Sequence, residues 1–242
     1  KIFPFSSIGT IPQDLKYKGE SNSLEIGENN MIREYVTINP GTSGGGSKTV
    51  IGNNCLLMIS SHVAHDCNVG NNVVIANNVP LGGHVTIEDS VVIGGNSAVQ
   101  QFTRIGRLAM IGGMTGVLKD VIPFGLSFGN RNYLQGINLI GLRRKKYENK
   151  KIMELDEAYK KIFSSKNLQE NLSKINDYGY QVIGPEIGDM ACGEYGEGKM
   201  TESSNIISFL ENYFISNDKN KKYKALVTAG PTHEYIDPVR YI

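Results

Sequence analysis

The chain has almost no net charge: +1 over 242 residues, with 25 Lys and Arg against 24 Asp and Glu. Overall charge therefore gives no reason to expect a nucleic acid or an anionic membrane surface as partner. Cysteine is scarce. The three present show no paired spacing, which argues against a disulfide framework and fits a reducing, cytoplasmic setting. Long apolar runs are missing too; none approaches the roughly 18–20 residues that a membrane-spanning helix needs. The opening KIFPFSSIG lacks the basic stretch and apolar core of a signal peptide. It begins with Lys, so the sequence reads as truncated at its front. Histidine is rare as well. Of four, three fall within the short stretch 62–84.

What is present is a repeat. From Ile51 an aliphatic residue returns every sixth position: Leu57, Val63, Val69, Ile75, Leu81, Ile87, Ile93, Val99, Ile105, Ile111 and Val117. Four residues after each stands a small or β-branched one, from Cys55 through Ser61 and Cys67 to Val121. An earlier piece, Ile26, Ile32 and Ile38, keeps the same step. A helix needs a period near 3.6 and a lone strand a period of 2. A period of six fits short strands joined by tight turns, each pointing one aliphatic residue inward. Gly at 52, 70, 82, 94, 106 and 112, with Asn53–Asn54, Asn71–Asn72 and Asn77–Asn78, is expected at corners where the backbone turns left-handed. The expected fold is mainly β: a parallel β-helix of hexapeptide repeats.

Two segments break the phase, 11–23 (IPQDLKYKGESNS) and 41–49 (GTSGGGSKT). Insertions in repeat proteins form loops on one side and often build the binding site. After Pro123 the pattern turns helical. Ile152, Leu155, Tyr159, Ile162 and Phe163 have helical spacing, as do Leu168, Leu172 and Ile175.

The densest polar cluster is His62-Val-Ala-His65-Asp66-Cys67. With Val63 inward, His65 falls at a corner. If three hexads make one coil, residues 18 apart stack about 4.8 Å from each other. Gly83 then lies over His65, Gln101 over Gly83 and His84 over Asp66. A histidine has a pKa suited to general base work, starting near 6.5. Asp66 is placed to orient an imidazole, and a glycine N–H facing an open site suits an oxyanion. Exposed corner residues without a role would show the same types.

The runs IPQDLKYKGE, IREYVTINPGT, LLMISSHVAHDCNVGNN, LGGHVTIEDSVVIGGNSAVQQFTRIG and GINLIGLRRKK resemble the UDP-N-acetylglucosamine O-acyltransferases over about residues 1–175. The resemblance implies a left-handed β-helix and a homotrimer with sites between subunits, without cofactor or metal. It implies transfer of a 3-hydroxyacyl group from acyl carrier protein to UDP-N-acetylglucosamine, which opens lipid A biosynthesis. It places the general base on His65 and the oxyanion N–H on Gly83. Asp14, Lys16, His62, Asp66, His84 and Gln101 match site positions. Asn138, Arg144 and Lys145 match positions near the nucleotide phosphates and the carrier arm, where basic groups suit anions. For any single member of the run Arg143–Lys146 a solvated helix start is an equal alternative. Gly113 matches the position that limits acyl length, and a glycine there predicts a longer chain. Members often carry His where this chain has Gln100, and they begin with further coils.

From about Tyr178 the likeness changes. YGYQVIGPEIGDMACGEYGEGKM and KALVTAGPTHEYIDPVRYI resemble the seam of the bifunctional phosphopantothenoylcysteine decarboxylase/phosphopantothenate–cysteine ligase of coenzyme A biosynthesis. Cys192 matches that decarboxylase's active cysteine and is expected to be inert alone. Ile206, Ile207, Leu210 and Phe214 predict a short amphipathic helix, and 217–222 a charged linker. The expected domains are thus 1–125 (β-helix), 126–177 (helical region) and 178–242 (a small α/β piece), with the junction between parents in 167–178. Two other readings stand beside the acyltransferase: a zinc-dependent β-helix carbonic anhydrase, whose ligand spacing differs, and an inactive chimera.

Overall fold

The computed structural model describes residues 1–163, 183–184, 186–189, 195–199, 201, 203–216, 235–237 and 240–241. It divides into two compact units, 1–160 and 161–242.

The first unit is the left-handed parallel β-helix. Its strands are mostly two residues long and recur every six. They stack into three sheets. One holds Ser7–Ile8, Thr37–Ile38, His62–Val63, Pro80–Leu81, Ala98–Val99 and Gly116–Val117. The second runs from Ser23–Ile26 through Lys48–Ile51, Asn68–Val69 and Thr86–Ile87 to Arg104–Ile105. The third runs from Met31–Ile32 to Met110–Ile111 and closes on an antiparallel hairpin, Gly125–Phe128 with Tyr133–Ile137. The regular register is 18 residues, as in Pro80 beside His62 and Thr86 beside Asn68. It becomes 25 across the 41–49 loop (Leu57 beside Ile32) and 30 across the 11–23 loop (Ile38 beside Ile8), so the loops add 7 and 12 residues.

Each hexad buries two side chains, the aliphatic one on the strand and the small one after the turn. They form one continuous core from Ile32 to Val121. Ile75 sits at its middle with 0% exposure. Ile75→Ala removes three heavy atoms from a site that cannot collapse, because the rungs on both sides are hydrogen-bonded in register. It is expected to cost about 2–5 kcal/mol, read as a lower urea midpoint; a cost below about 1 kcal/mol would show a core free to close up.

The corners are left-handed at every sixth residue. Asn54, Ser60, Asp66, Asn72, Asn78, His84, Ser90, Asn96, Phe102, Leu108 and Met114 have φ between 56° and 65°. Asparagine holds corners as expected. The repeated glycines do not: none of Gly52, Gly70, Gly82, Gly94, Gly106 and Gly112 has positive φ. Their reason is space. A Cβ on Gly94 would stand 2.5 Å from the Gly113 nitrogen, and one on Gly82 2.7 Å from that of Gln101.

Helix α1 (Leu139–Arg144) and helix α2 (Asn149–Phe163) cap the end of the coil. Asn138 starts α1 by accepting from the Gly141 N–H at 2.9 Å. The spacing of Ile152 and Tyr159 puts both on one buried face, packed with Leu108, Ile137 and Leu142, and the Tyr159 hydroxyl donates to the Pro123 carbonyl at 2.6 Å.

In the second unit Glu186–Asp189 and Tyr195–Lys199 form an antiparallel pair, as do Tyr235–Asp237 and Arg240–Tyr241. Between them runs helix α3 (Ser203–Ser216), where the spacing of Ile206, Ile207, Leu210 and Phe214 predicts one. The expected helical stretch at Leu168–Ile175, Cys192 and the linker 217–222 lie outside the described residues.

Candidate active site

The corner after strand His62–Val63 carries the site. Val63 is fully buried, so the chain turns with His65 and Asp66 outside the core, Asp66 in the left-handed conformation at φ 58°. The 18-residue register brings Gly83 over His65. A Cβ on Gly83 would lie 2.6 Å from both Cε1 and Nε2 of the His65 ring, so the ring lies where only glycine fits. Among the described contacts the Gly83 N–H donates to no protein acceptor, while its neighbours Gly82 and His84 donate to Val99 and His65.

Asp66 is the most tightly held group. The His65 Nδ1 lies 2.8 Å from its Oδ2, and the Asp66 side chain is only 1% exposed. Thr42 donates its N–H to Oδ1 and Oδ2 at 2.9 and 3.1 Å and its hydroxyl to Oδ2 at 2.7 Å. The Asp66 N–H donates to the Thr49 hydroxyl at 2.8 Å. Burial alone would raise the Asp66 pKa. The hydrogen bonds from His65 and Thr42, with His84 nearby, outweigh it and hold the carboxyl below its ordinary value. An ionised carboxylate only accepts, so Nδ1 of His65 carries a proton and, in the neutral ring, Nε2 has the lone pair.

His84, which the register stacks above Asp66, makes its closest ring contacts elsewhere. It meets His65 edge-on, with ring centres 5.0 Å apart, and stacks on Phe102 at 4.4 Å with planes 5° apart. The Nδ1 of His62 lies 2.7 Å from the Thr37 hydroxyl. Burial pushes both His62 and His84 below the ordinary histidine pKa. His65 adds to this in both; Thr37 opposes it in His62, Asp66 in His84. Asp14 and Lys16, from the 11–23 loop, are close enough to act on His84. The Lys16 N–H donates to Asp14 Oδ1 at 2.9 Å.

The other expected residues lie apart. Gln101 is on the next rung, its backbone against Gly82. Gly113 is exposed and opens the turn before the sheet that His62–Val63 belongs to, whereas His65 follows that sheet. Asn138 caps α1 and also donates to the Leu108 carbonyl at 2.9 Å. Arg144 and Lys145 are exposed at the end of α1, and no described contact joins them to His65. Two neighbours of the site escaped the sequence reading. Phe102 follows His84 by one coil and was within reach of the stacking rule. Thr42 was not, because it lies in a loop whose extra length hides its register.

Residues 120–217 match the model described as UDP N-acetylglucosamine O-acyltransferase, domain 2, and residues 48–83 match the bacterial transferase hexapeptide repeat. The acyl-[acyl-carrier-protein]–UDP-N-acetylglucosamine O-acyltransferase of Aliarcobacter butzleri is 49% identical over 177 residues, covering 73% of this chain and 68% of that one. The chain belongs to the UDP-N-acetylglucosamine O-acyltransferase family. The Paracoccus denitrificans member is 56% identical over 144 residues, 60% of this chain and 55% of its own. Against these two relatives the chain therefore spans between 55% and 68% of a family member. Solved acyltransferases superpose closely: that of Bacteroides fragilis has a TM-score of 0.71 at 41% identity, covering 75% of this chain and 71% of its own, and that of Acinetobacter baumannii 0.69 at 46%, covering 72% and 68%.

Residues 220–242 match the DNA/pantothenate metabolism flavoprotein C-terminal domain, in line with the second resemblance. The acyltransferase model runs on to 217, past the junction expected in 167–178. His65, Asp66 and His84 offer possible metal-ligand atoms within 4.8 Å of one another. Two of the three are already bonded to each other, and the family relatives favour acyl transfer over the zinc reading.

Proposed function

We propose that this chain transfers a 3-hydroxyacyl group from acyl carrier protein to the 3-hydroxyl of UDP-N-acetylglucosamine, opening lipid A biosynthesis in the cytoplasm. The observation that carries the reading is the His65–Asp66 pair packed against Gly83, whose N–H has no acceptor among the described contacts, in a chain whose relatives are named acyl-[acyl-carrier-protein]–UDP-N-acetylglucosamine O-acyltransferases.

Nε2 of His65 takes the proton of the sugar hydroxyl as its oxygen attacks the thioester carbonyl. The Gly83 N–H receives the oxyanion of the tetrahedral intermediate. As the carbon–sulfur bond breaks, the imidazolium returns its proton to the departing thiolate. Asp66 keeps the proton on Nδ1 and balances the charge while His65 is protonated. No metal or cofactor is needed. His62, His84, Asp14, Lys16 and Gln101 line the sugar and acyl side. A homotrimer with sites between subunits accounts for Asn138, Arg144 and Lys145, which stand apart from His65 in one chain and would meet the nucleotide phosphates and the acidic carrier on a neighbour. The domain plan is β-helix 1–125, helical region 126–177 and a coenzyme A enzyme piece 178–242.

The exposed Gly113 leaves its side of the groove open, so longer acyl chains are preferred. The test is transfer from 3-hydroxyacyl carrier proteins of graded length to UDP-N-acetylglucosamine, with and without a chelator. Transfer that rises toward the longer donors and ignores the chelator is expected. A folded chain that moves no donor would overturn the reading, and a chelator-sensitive one would restore the metal reading.

A further inference from the structure

The mechanism assigns work to His65 and Asp66 but none to the loop that grips Asp66. Thr42 is 2% exposed and gives the carboxylate three hydrogen bonds, its hydroxyl reaching at 2.7 Å the same Oδ2 that receives His65. The loop is shaped to this contact. A Cβ on Gly45 would stand 2.6 Å from Asp66 Oδ1. The loop is also tied down. The Ser43 N–H donates to Glu20 Oε1 at 3.1 Å and the Lys18 N–H to Oε2 at 2.7 Å. These backbone donors, Ser43 first, pull the Glu20 carboxyl down to about 2, so it stays an acceptor at any physiological pH.

We infer that Thr42 is a positioning residue for the base: its hydroxyl shares the Asp66 oxygen with His65, fixing the carboxylate's aim and limiting how strongly it holds the protonated imidazole. The inference rests on the proposed acyl transfer. The direction follows from charge sharing. Without the hydroxyl, more of the carboxylate's charge falls on His65, and the imidazolium form persists to higher pH. A base too strongly protonated is lost at neutral pH. The other charged or titratable groups facing the pair are His84, His62, the buried Cys67 beside Asp66 and, through His84, Asp14 and Lys16. None of them is altered in the variants below.

The test compares Thr42→Val, which keeps shape and N–H but loses the hydroxyl, with Thr42→Ser, which keeps it. In Thr42→Val the acid limb of kcat/KM moves up by roughly 0.5–1 pH unit, and kcat/KM at neutral pH falls about tenfold, the size of one hydrogen bond to a charged group. Thr42→Ser restores both. Gly45→Ala, at an exposed loop position, pushes the loop off the carboxylate and moves the limb the same way, which covers the case of a poorly folded Thr42→Val. The ring-nitrogen NMR titration of His65 is followed in the same proteins and needs no turnover. A titration midpoint that rises in Thr42→Val and returns in Thr42→Ser supports the role even if no acyl transfer occurs, in which case the functional proposal alone has failed. An unmoved midpoint, or Thr42→Ser behaving as Thr42→Val, overturns it.

Discussion

His65→Ala lowers kcat/KM for acyl transfer by about 10²–10⁴-fold, the usual worth of a positioned general base, while the β-helix stays folded. The side chain is 13% exposed and sits outside the core, so its removal opens no cavity among the inward aliphatics. What it removes is an imidazole whose Nδ1 is paired to a carboxylate and whose ring packs against Gly83. The pH profile separates this from a loss of binding. An acid limb present in the parent chain and lost in the variant is the expected result. KM for the sugar nucleotide changes less than kcat, because the missing group acts on the proton in flight. Near-parent turnover in a folded His65→Ala would sink the assignment of the base.

Gly83→Ala is the more discriminating change. It keeps the N–H and adds one carbon, which would stand 2.6 Å from the His65 ring. Real carbons do not approach so closely, so the ring must turn and give up its bond to Asp66, or the rung must part. Gly83 has no positive φ, so no backbone strain clouds the result. A loss of about 10²–10³-fold in kcat is expected, comparable to removing an oxyanion donor, with little change in thermal stability. Gly95→Ala is the control at the same place in a later hexad, where the added carbon meets nothing closer than 3.4 Å. If both variants turn over like the parent, His65 does not work from the position described.

Much of this was legible because the chain repeats. The inward set Ile51 to Val117 keeps phase without a gap, and that phase, with three hexads taken per coil, gives the 18-residue register and Gly83 above His65. Legibility failed where periodicity carries no information. The glycines after the inward aliphatics suggested turning corners, yet they answer to the approach of the next rung, a contact 16–19 residues away in sequence. His84 does lie within reach of Asp66, as the arithmetic has it, but the carboxylate's hydrogen bond goes to His65, its own neighbour. Thr42 stayed hidden because loop 41–49 adds seven residues to the register, and a count of six cannot be carried through it. Arg144 and Lys145 cannot be joined to the site by any reasoning about one chain if a second chain supplies them.

The left-handed corners bear on how such a chain acquires its shape. Tyr35, Phe102, Leu108 and Met114 hold φ between 56° and 65° without the help of glycine or asparagine. Each costs roughly 1–2 kcal/mol as an isolated residue, and every coil has three such corners. A solitary coil has no neighbour to offset that cost, because its rungs bond only to the coils above and below. A new turn is therefore stable only on a finished one. The chain should fold as a crystal grows, with a slow first layer and quick deposition after it. A three-residue deletion near one end would cost the last layer, whereas the same deletion in the middle would put every later inward residue out of phase and halt growth there.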